Sequence, residues 1–554
     1  MHYYSLSACV VVGLLGLPIP AMAQSSNQTE ELSSVQLTGL PFRIEVRRAP
    51  IEFEGLPGLH SGCAAIYEDQ PEHVLFFGGR YNLAGMHGFE CGDGSFAKDD
   101  YNRSFYVANV QTGEVWERSV DDPRSGLSSE QADQLSAVNF LENQVGQHLI
   151  AMGGYGYSRD ADDWVTFDQL ALIDIAGAVE WTMGAKSQLS ESITFMDPPS
   201  GAPDTIYTVT GGKLLFPEDE MWICMGQEFQ GRYDVCNPDA ATQTYKENFY
   251  RLRFDLDAKG EGSFTYLGES AQANEAFAHR RDLNILPFIE ADGITKGAVA
   301  LAGVFTEEDG CWTVPSLMHA DGTMTQADPS DPETFKQGYN IYSSAAMTIW
   351  SEKDQVNYFL LGGGISYELL TGGQFVVPGG FPYSTNLSIV RYEPGTDDWS
   401  QYFANASFPR IPGGESGDAY WRFGTETYLF PVAGSLWETR SSFLTILDLD
   451  SITESTVIGY LYGGIAALGD DSDAPGFTTI ASPYAFELVL IPGPGCPADL
   501  SGDGQVNGRD LAMMVGTWGQ LPIGSSAPED LNDDGWVSSI DLLMLIESWG
   551  PCSN

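Results

Sequence analysis

Two stretches near the C-terminus carry the residue types and the spacing to hold a hard metal ion. Asp499-Leu-Ser-Gly-Asp-Gly-Gln-Val-Asn-Gly-Arg-Asp510 sets oxygen donors at Asp499, Ser501, Asp503 and Asn507, the odd positions of a twelve-residue loop, and ends on Asp510. Gly504 stands at the sixth position, where such a loop turns sharply, and Gln505 next to it offers its carbonyl. Asp530-Leu-Asn-Asp-Asp-Gly-Trp-Val-Ser-Ser-Ile-Asp541 repeats the order with Asp530, Asn532, Asp534, Ser538 and Asp541, and Trp536 as the carbonyl donor. Ca²⁺ takes roughly six to eight oxygen ligands, and each loop collects such a set within one turn of chain. Amphipathic helices are expected after the loops, over Asp510 to Trp518 and Asp541 to Trp549. The bland alternative is a carboxylate-rich tail with no fold of its own.

Two other places could contact a ligand. Phe277-Ala-His-Arg-Arg-Asp282 is a basic cluster in an acidic chain, so His279, Arg280 and Arg281 could clamp a carboxylate or a sugar. They could equally pair with Asp282 and neighbouring acids. Arg80 and His87, in Gly79-Arg-Tyr-Asn-Leu-Ala-Gly-Met-His87, are joined by Tyr155, Arg232 and Tyr233 in corresponding loops. Aromatic and arginine side chains suit sugar or peptide contacts, although loop tyrosines are common without a ligand. No G-x-S-x-G elbow, HExxH helix, phosphate loop or dinucleotide fingerprint occurs, so no catalytic residue is assigned.

What must position these residues is a repeat. Short apolar runs stop on glycine at Val74 to Gly79, Leu149 to Gly154, Met221 to Gly226, Ala298 to Gly303, Tyr358 to Gly364 and Tyr428 to Gly434, at intervals of about 60–77 residues. Runs of this length bounded by Gly, Pro and Asp read as buried strands. The first, second and fifth units each show four of them. In the second these are Leu135 to Leu141, the Leu149 run, Gln169 to Ile175 and Val179 to Trp181. Phe42 to Val46 and Tyr484 to Ile491 are left to close the array from its two ends. Insertions follow each second strand (Arg80 to Asn102, Tyr155 to Phe167, Gln227 to Asn248, Val304 to Asn340, Ile365 to Asn386) and should gather on one face.

On the paired glycines, on Tyr106, Phe249-Tyr250 and Tyr392 in third strands, and on Trp116, Trp181 and Trp399 in fourth strands, residues 38–490 resemble the kelch family. The resemblance implies an all-β fold, a six-bladed kelch-type β-propeller, with seven blades as the alternative count. The period departs from the roughly 50 residues of kelch units. Galactose oxidase is a copper enzyme of this type, but the histidines here form no tight pair, and copper chemistry is not expected. Residues 496–554, with two loop-helix halves and no helix before the first loop, resemble a dockerin, a small α-helical calcium module. That resemblance implies two Ca²⁺ sites, calcium-dependent folding and docking to a cohesin-like or other surface-scaffold protein. At the tenth and eleventh loop positions, where such modules contact partners, Gly508-Arg509 and Ser539-Ile540 differ, so the halves present different surfaces.

The bulk numbers bound the rest. In 554 residues, 26 Lys+Arg stand against 76 Asp+Glu, a formal charge of −50. Such a surface repels phosphate backbones and anionic lipid, so nucleic acid is excluded as a partner. Hydrophobic content of 43% and aromatic content of 12% argue for a packed core. Val10 to Leu17 followed by Ala21-Met-Ala23 reads as a secretory signal over residues 1–23, ahead of a flexible leader over 24–37. A linker, Ile491-Pro-Gly-Pro-Gly495, separates the two domains, and no membrane span is expected. In an exported chain the cysteines can oxidise; Cys63–Cys91, Cys224–Cys236 and Cys496–Cys552 are the expected partners, leaving Cys311. The reading is a secreted, non-catalytic binding propeller for a glycan or peptide, with a carbohydrate-active hydrolase or lyase as the alternative.

Overall fold

A computed structural model describes residues 35–36, 39–83, 91–217, 220–256, 262–270, 278–304, 306, 310–367, 369–371, 374–376, 381–414, 419–432, 446–469, 472, 477–493, 496–501, 504–521, 527–532 and 535–552. Residues 1–23, read above as a secretory signal, lie outside them. The chain is mostly β, in several small antiparallel sheets. Six of these follow one another along the chain, each built on four strands, with the fifth widened to six by Val35–Gln36 and Ile446–Asp448. Sheet one holds Cys63–Ile66, His73–Phe77, Ser104–Asn109 and Val115–Ser119; sheet two holds Leu141–Val145, His148–Met152, Leu170–Asp174 and Ile193–Met196. Sheet three holds Lys213–Leu215, Glu220–Cys224, Phe249–Leu256 and Gly262–Glu269, and sheet four holds Asn284–Ile289, Lys296–Leu301, Ser316–Met318 and Met324–Gln326. Sheet five is built on Ala345–Ser351, Val356–Ile365, Tyr383–Glu393 and Asp398–Ser407. Sheet six takes Tyr428–Pro431, Thr456–Tyr462 and Ala485–Pro492, and its fourth strand is Phe42–Arg48 from the other end of the chain. Phe42 pairs with Pro492 and Arg48 with Phe486, so the two segments left over by the repeat do pair.

Burial follows strand position. Val356–Ile365 is buried at every residue, because a second strand is covered on both faces by neighbouring sheets. The outermost Gly262–Glu269 alternates between half-buried and exposed, as a strand with one wet face must. Each second strand ends in two residues with positive φ, and glycine fills this pair where space is least. A Cβ on Gly153 (φ 61°) would lie 2.0 Å from the Val209 carbonyl oxygen, and one on Gly463 (φ 69°) 2.5 Å from that of Leu59. Met225 and Ala302 hold the corresponding place in sheets three and four, at φ 55° and 45°.

In five of the six pairs the second residue bonds to the chain leading into the next sheet. Gly79 N–H donates to Ala137 O (2.8 Å), Gly154 to Val209 O (3.0 Å), Gly226 to Arg280 O (3.1 Å) and Gly303 to Ile341 O (3.0 Å). Gly464 N–H then returns to Leu59 O beside sheet one (2.9 Å). Insertions interlock above: Tyr155–Ser158, Asp163–Thr166, Gln227–Gly231 and Ala241–Tyr245, from two different sheets, form one four-stranded sheet. A disulfide joins Cys91 to Cys236 across the first and third insertions.

Several expectations are corrected. Tyr428–Pro431 is a first strand, not a second; the glycine-ended second strand of sheet six is Thr456–Tyr462 before Gly463-Gly464. Val179 to Trp181 lies in a helix, Ile175–Thr182, whose Trp181 is fully buried, and the fourth strand there is Ile193–Met196. Leu135 follows a helix, Ser129–Gln134, and the first strand of sheet two begins at Leu141. Val35–Gln36, placed in the flexible leader, pairs with Gln401 and Tyr402 of sheet five. Cys63 and Cys224 are buried thiols inside strands, so Cys63–Cys91 and Cys224–Cys236 do not form; Cys311 is in neither disulfide, as expected. Ile491 and Pro492 belong to the last strand of sheet six rather than to a linker.

The C-terminal module has helices Gly508–Gly516 and Ser539–Glu547. They start earlier than hydrophobic spacing indicates because Asn507 and Ser538 cap them, each in a reciprocal box with Asp510 or Asp541. Cys496–Cys552 closes the module as expected. Its core of Val506, Met514, Val537, Met544 and Leu545 continues into Tyr339 and Phe403 of the β body.

Candidate functional site

The first strands of all six sheets line one cavity of about 200 Å³. The residue that leads into each strand is bonded to the one before it: Asn139 N–H to Ser61 O (2.7 Å), Gly211 to Asn139 O (3.2 Å), Asp282 to Gly211 O (2.9 Å), Ser343 to Asp282 O (3.0 Å) and Glu426 to Ser343 O (3.0 Å). Ser61 Oγ donates back to Glu426 Oε2, and His60 Nδ1 lies 2.6 Å from the same hydroxyl. Five of these positions have positive φ, between 48° and 68°. Gly211 and Asn139 adopt that conformation cheaply; Ser61, Asp282 and Glu426 do so at a cost of about 1–3 kcal/mol each. Their polar side chains are what the strain retains. Burial pushes the Glu426 carboxyl up to about 7, and Asp282 adds to the shift against the pull of the Ser61 hydrogen bond and Lys213. Burial likewise raises Glu142 on the same cavity wall, opposed by Lys213.

A second cavity, of about 110 Å³, shares Asn139 and Asp282 with the first and opens among the insertions. Tyr155, Tyr233, Phe229, Tyr342 and Tyr383 surround Arg281 there. Arg281 Nε is 3.6 Å from Asp282 Oδ2. Burial works against the Arg281 charge, but Asp282 and the hydroxyls of Tyr245, Tyr233 and Tyr342 outweigh it and hold the guanidinium above the ordinary arginine range. We take the pair as ionised, since the Arg281 charge and a Tyr342 hydrogen bond both oppose the burial that raises the Asp282 carboxyl. Tyr155 is fixed at both sides of its hydroxyl, donating to Gly231 O and accepting from Tyr233 N–H, each at 2.8 Å. The cavity can therefore offer aromatic faces and one oriented cation to a small polar molecule.

Of the residues singled out from the sequence, Tyr155, Tyr233 and Arg281 meet here. Arg280 does not. It is fully buried in sheet four, donating to Ala302 O, Val314 O and Ser316 Oγ at 2.9 Å, and burial pushes it down to about 9. Arg80 is likewise buried, ion-paired with Asp100 (2.6 Å) under Phe96. Arg232 lies over Trp164, and His279 stacks on Tyr245 with Nδ1 2.8 Å from Glu247 Oε1. His87 lies outside the described residues. The residues the sequence did not flag, Ser61, Glu142, Lys213 and Glu426, have no common spacing from the glycine-ended strands and are brought together only by the packing of the first strands.

The two metal-type loops have matching internal bonds. Asp499 Oδ2 accepts from Gly504 N–H (2.7 Å), and Asp530 Oδ2 from Gly535 N–H (2.9 Å). Asp510 accepts from Ser501 and Asn507 N–H (both 2.8 Å); Asp541 accepts from Asn532 (3.4 Å) and Ser538 (2.7 Å). Gly504 and Gly535 have φ of 83° and 89°, the left-handed turn the sixth position needs. The all-oxygen donor set, with Gln505 and Trp536 as carbonyl donors, fits Ca²⁺. Asp503 and Asp534 lie outside the described residues. Among those residues, Cys91, Asp234 and Cys236 also cluster, but the two sulfurs are consumed in a disulfide. The module exposes apolar side chains at matching places in its halves, Val515 and Trp518, then Ile546 and Trp549.

No family model and no curated protein matches the chain. Among solved structures, one described as "Structure of YjhT" overlaps 80% of this chain and 98% of its own, at 9% identity and a TM-score of 0.38. A chain from "Cryo-EM structure of RAG in complex with one melted RSS and one unmelted RSS" overlaps 67% and 97%, at 11% identity and a TM-score of 0.29. Overlaps this loose carry no information on what this chain does.

Proposed function

We propose that the protein is a secreted, six-bladed kelch-type propeller that binds a glycan or peptide end at its axial mouth, with a calcium-loaded, dockerin-like tail that attaches it to a cohesin-like or other scaffold protein. The run of backbone bonds from sheet one through sheet six and back supports the closed ring. One observation carries the binding reading: Arg281, Tyr155 and Tyr233, far apart in sequence, converge on one aromatic cavity over the axis. Two disulfides suit an oxidising compartment, and no described helix is long and apolar enough to cross a membrane. Calorimetry against glycan and peptide panels tests the mouth. Arg281→Ala should weaken the best ligand by about thirtyfold or more, as for a buried anchor. Wild-type protein that binds neither class, or binds equally well without Arg281, removes the reading.

A second reading, a carbohydrate-active hydrolase or lyase, has Glu426 in its favour. A carboxyl titrating near 7 is suited to general acid–base work at neutral pH. Turnover on polysaccharides that disappears in Glu426→Gln, with the fold intact, would establish catalysis and end the non-catalytic account. For the tail, Ca²⁺ would be held by Asp499, Ser501, Asp503, Gln505, Asn507 and Asp510, and by Asp530, Asn532, Asp534, Trp536, Ser538 and Asp541. It would supply the positive charge that lets these carboxylates share one small volume.

A further inference from the structure

The two loops are alike in sequence and unlike in surroundings. Asp499 is partly exposed, and Gly504 has open space around it. Asp530, Asn532 and Ser538 are buried against the β body. Arg410, just after sheet five, donates from Nη2 to Asp530 Oδ2 at 2.9 Å, with the two side chains 7% and 0% exposed. Gly535 N–H uses the same oxygen, so Arg410 adds to the loop's own pattern rather than replacing it. A Cβ on Gly535 would lie 3.0 Å from Arg410 Cζ, so the guanidinium rests on the loop's glycine turn. Asn386 Nδ2 donates to Asn532 O (2.8 Å), and Tyr339 packs edge-on against Phe403 beneath the module core.

We infer that the second calcium loop and the β body are one metal-coupled interface, in which Arg410 completes the loop and ties calcium loading to docking of the module. This rests on the calcium reading above. The oxygens that Arg410 and Asn386 engage are in place only when the loop is closed. A closed loop without its cation holds the buried Asp530 and Asp541 carboxylates within one loop at mutual repulsion. Metal binding therefore favours the docked geometry, and docking must favour metal to the same degree. The charge of Arg410 opposes a cation nearby, but it is paired with Asp530, and by sequence the second loop carries four carboxylates to the first loop's three. The first loop has a basic neighbour of its own, Arg509, and lies open to solvent.

The test uses the full chain, with calcium calorimetry and backbone hydrogen exchange at Tyr339 and Phe403. Two calcium-binding events are expected, and chelation should strip protection at both residues. Arg410→Ala should weaken one event by about tenfold, a usual size for coupled sites, and leave the other. Asn386→Ala, which removes only an amide, should do the same more weakly. Asp541→Asn should release the module, whereas Asp510→Asn should not. Unchanged protection under chelation, or calcium binding that is equal or tighter in both Arg410→Ala and Asn386→Ala, overturns the coupling. Absence of any calcium heat in the wild type instead overturns the calcium reading beneath it.

Discussion

The calcium-type loops and the axial site are both polar clusters, but they are assembled in opposite ways. Each loop draws its donors from twelve consecutive residues and orders them with its own backbone, through Gly504 or Gly535 and the helix that follows. The axial site takes Ser61, Asn139, Gly211, Asp282, Ser343 and Glu426, one from each sheet, and orders them through bonds between sheets. On the proposed reading the first depends on a cation, whereas the second depends on strands packed from six sheets. Conditions that damage one should therefore leave the other standing.

The largest separation should come from chelation. Removing calcium is expected to unfold 496–552, seen as loss of exchange protection in both helices, while the six sheets keep theirs except at Phe403, where the module packs on sheet five. Protection that survives chelation in the tail would erase the contrast. Next in size, Gly153→Ala should cost the β body about 3 kcal/mol, from a Cβ driven against the Val209 carbonyl in a left-handed turn. Denaturant melts of the body should report this, with calcium heats in the tail unchanged. Arg281→Ala should then weaken ligand binding at the mouth by about thirtyfold or more and also lower the melting temperature of the β body, because it leaves the buried Asp282 carboxylate without its cation.

The smallest effect concerns pH. Glu426 titrates near 7 in the fold and near its ordinary value once unfolded, so the native state holds its proton more tightly. Stability is then highest below the unfolded value and falls as pH rises through about 7. Glu426→Gln should flatten the melting temperature across pH 5 to about 7 by a few degrees and leave the tail's profile untouched. A wild-type profile already flat in that window would mean the carboxyl is not held as the ring suggests.

Legibility followed the same division. The internal bonds of the loops follow twelve-residue spacing because there position along the chain is position in space. The strands were legible where apolar runs met Gly-Gly, and less so where Met225 and Ala302 stand in for the first glycine. The sixth unit misled for a physical reason. Tyr428–Pro431 is apolar and followed by a glycine, yet the demand for a left-handed pair is met further on, at Gly463-Gly464. Trp181 fitted the pattern of a closing-strand aromatic, but it fills the same core from a helix. Disulfide pairing failed because spacing favoured local partners, while Cys91 and Cys236 meet only when two insertions fold over each other.

By itself the sequence determined the acidic charge, the strand-and-glycine rhythm, and a tail whose oxygen-bearing side chains recur at twelve-residue loop spacing, since these depend on near neighbours along the chain. Tertiary structure alone decided which arginine faces a cavity and which becomes a strut, although Arg280 and Arg281 are adjacent. Successive residues of an extended chain point opposite ways, and only the packing of the sheets settles which way is inward.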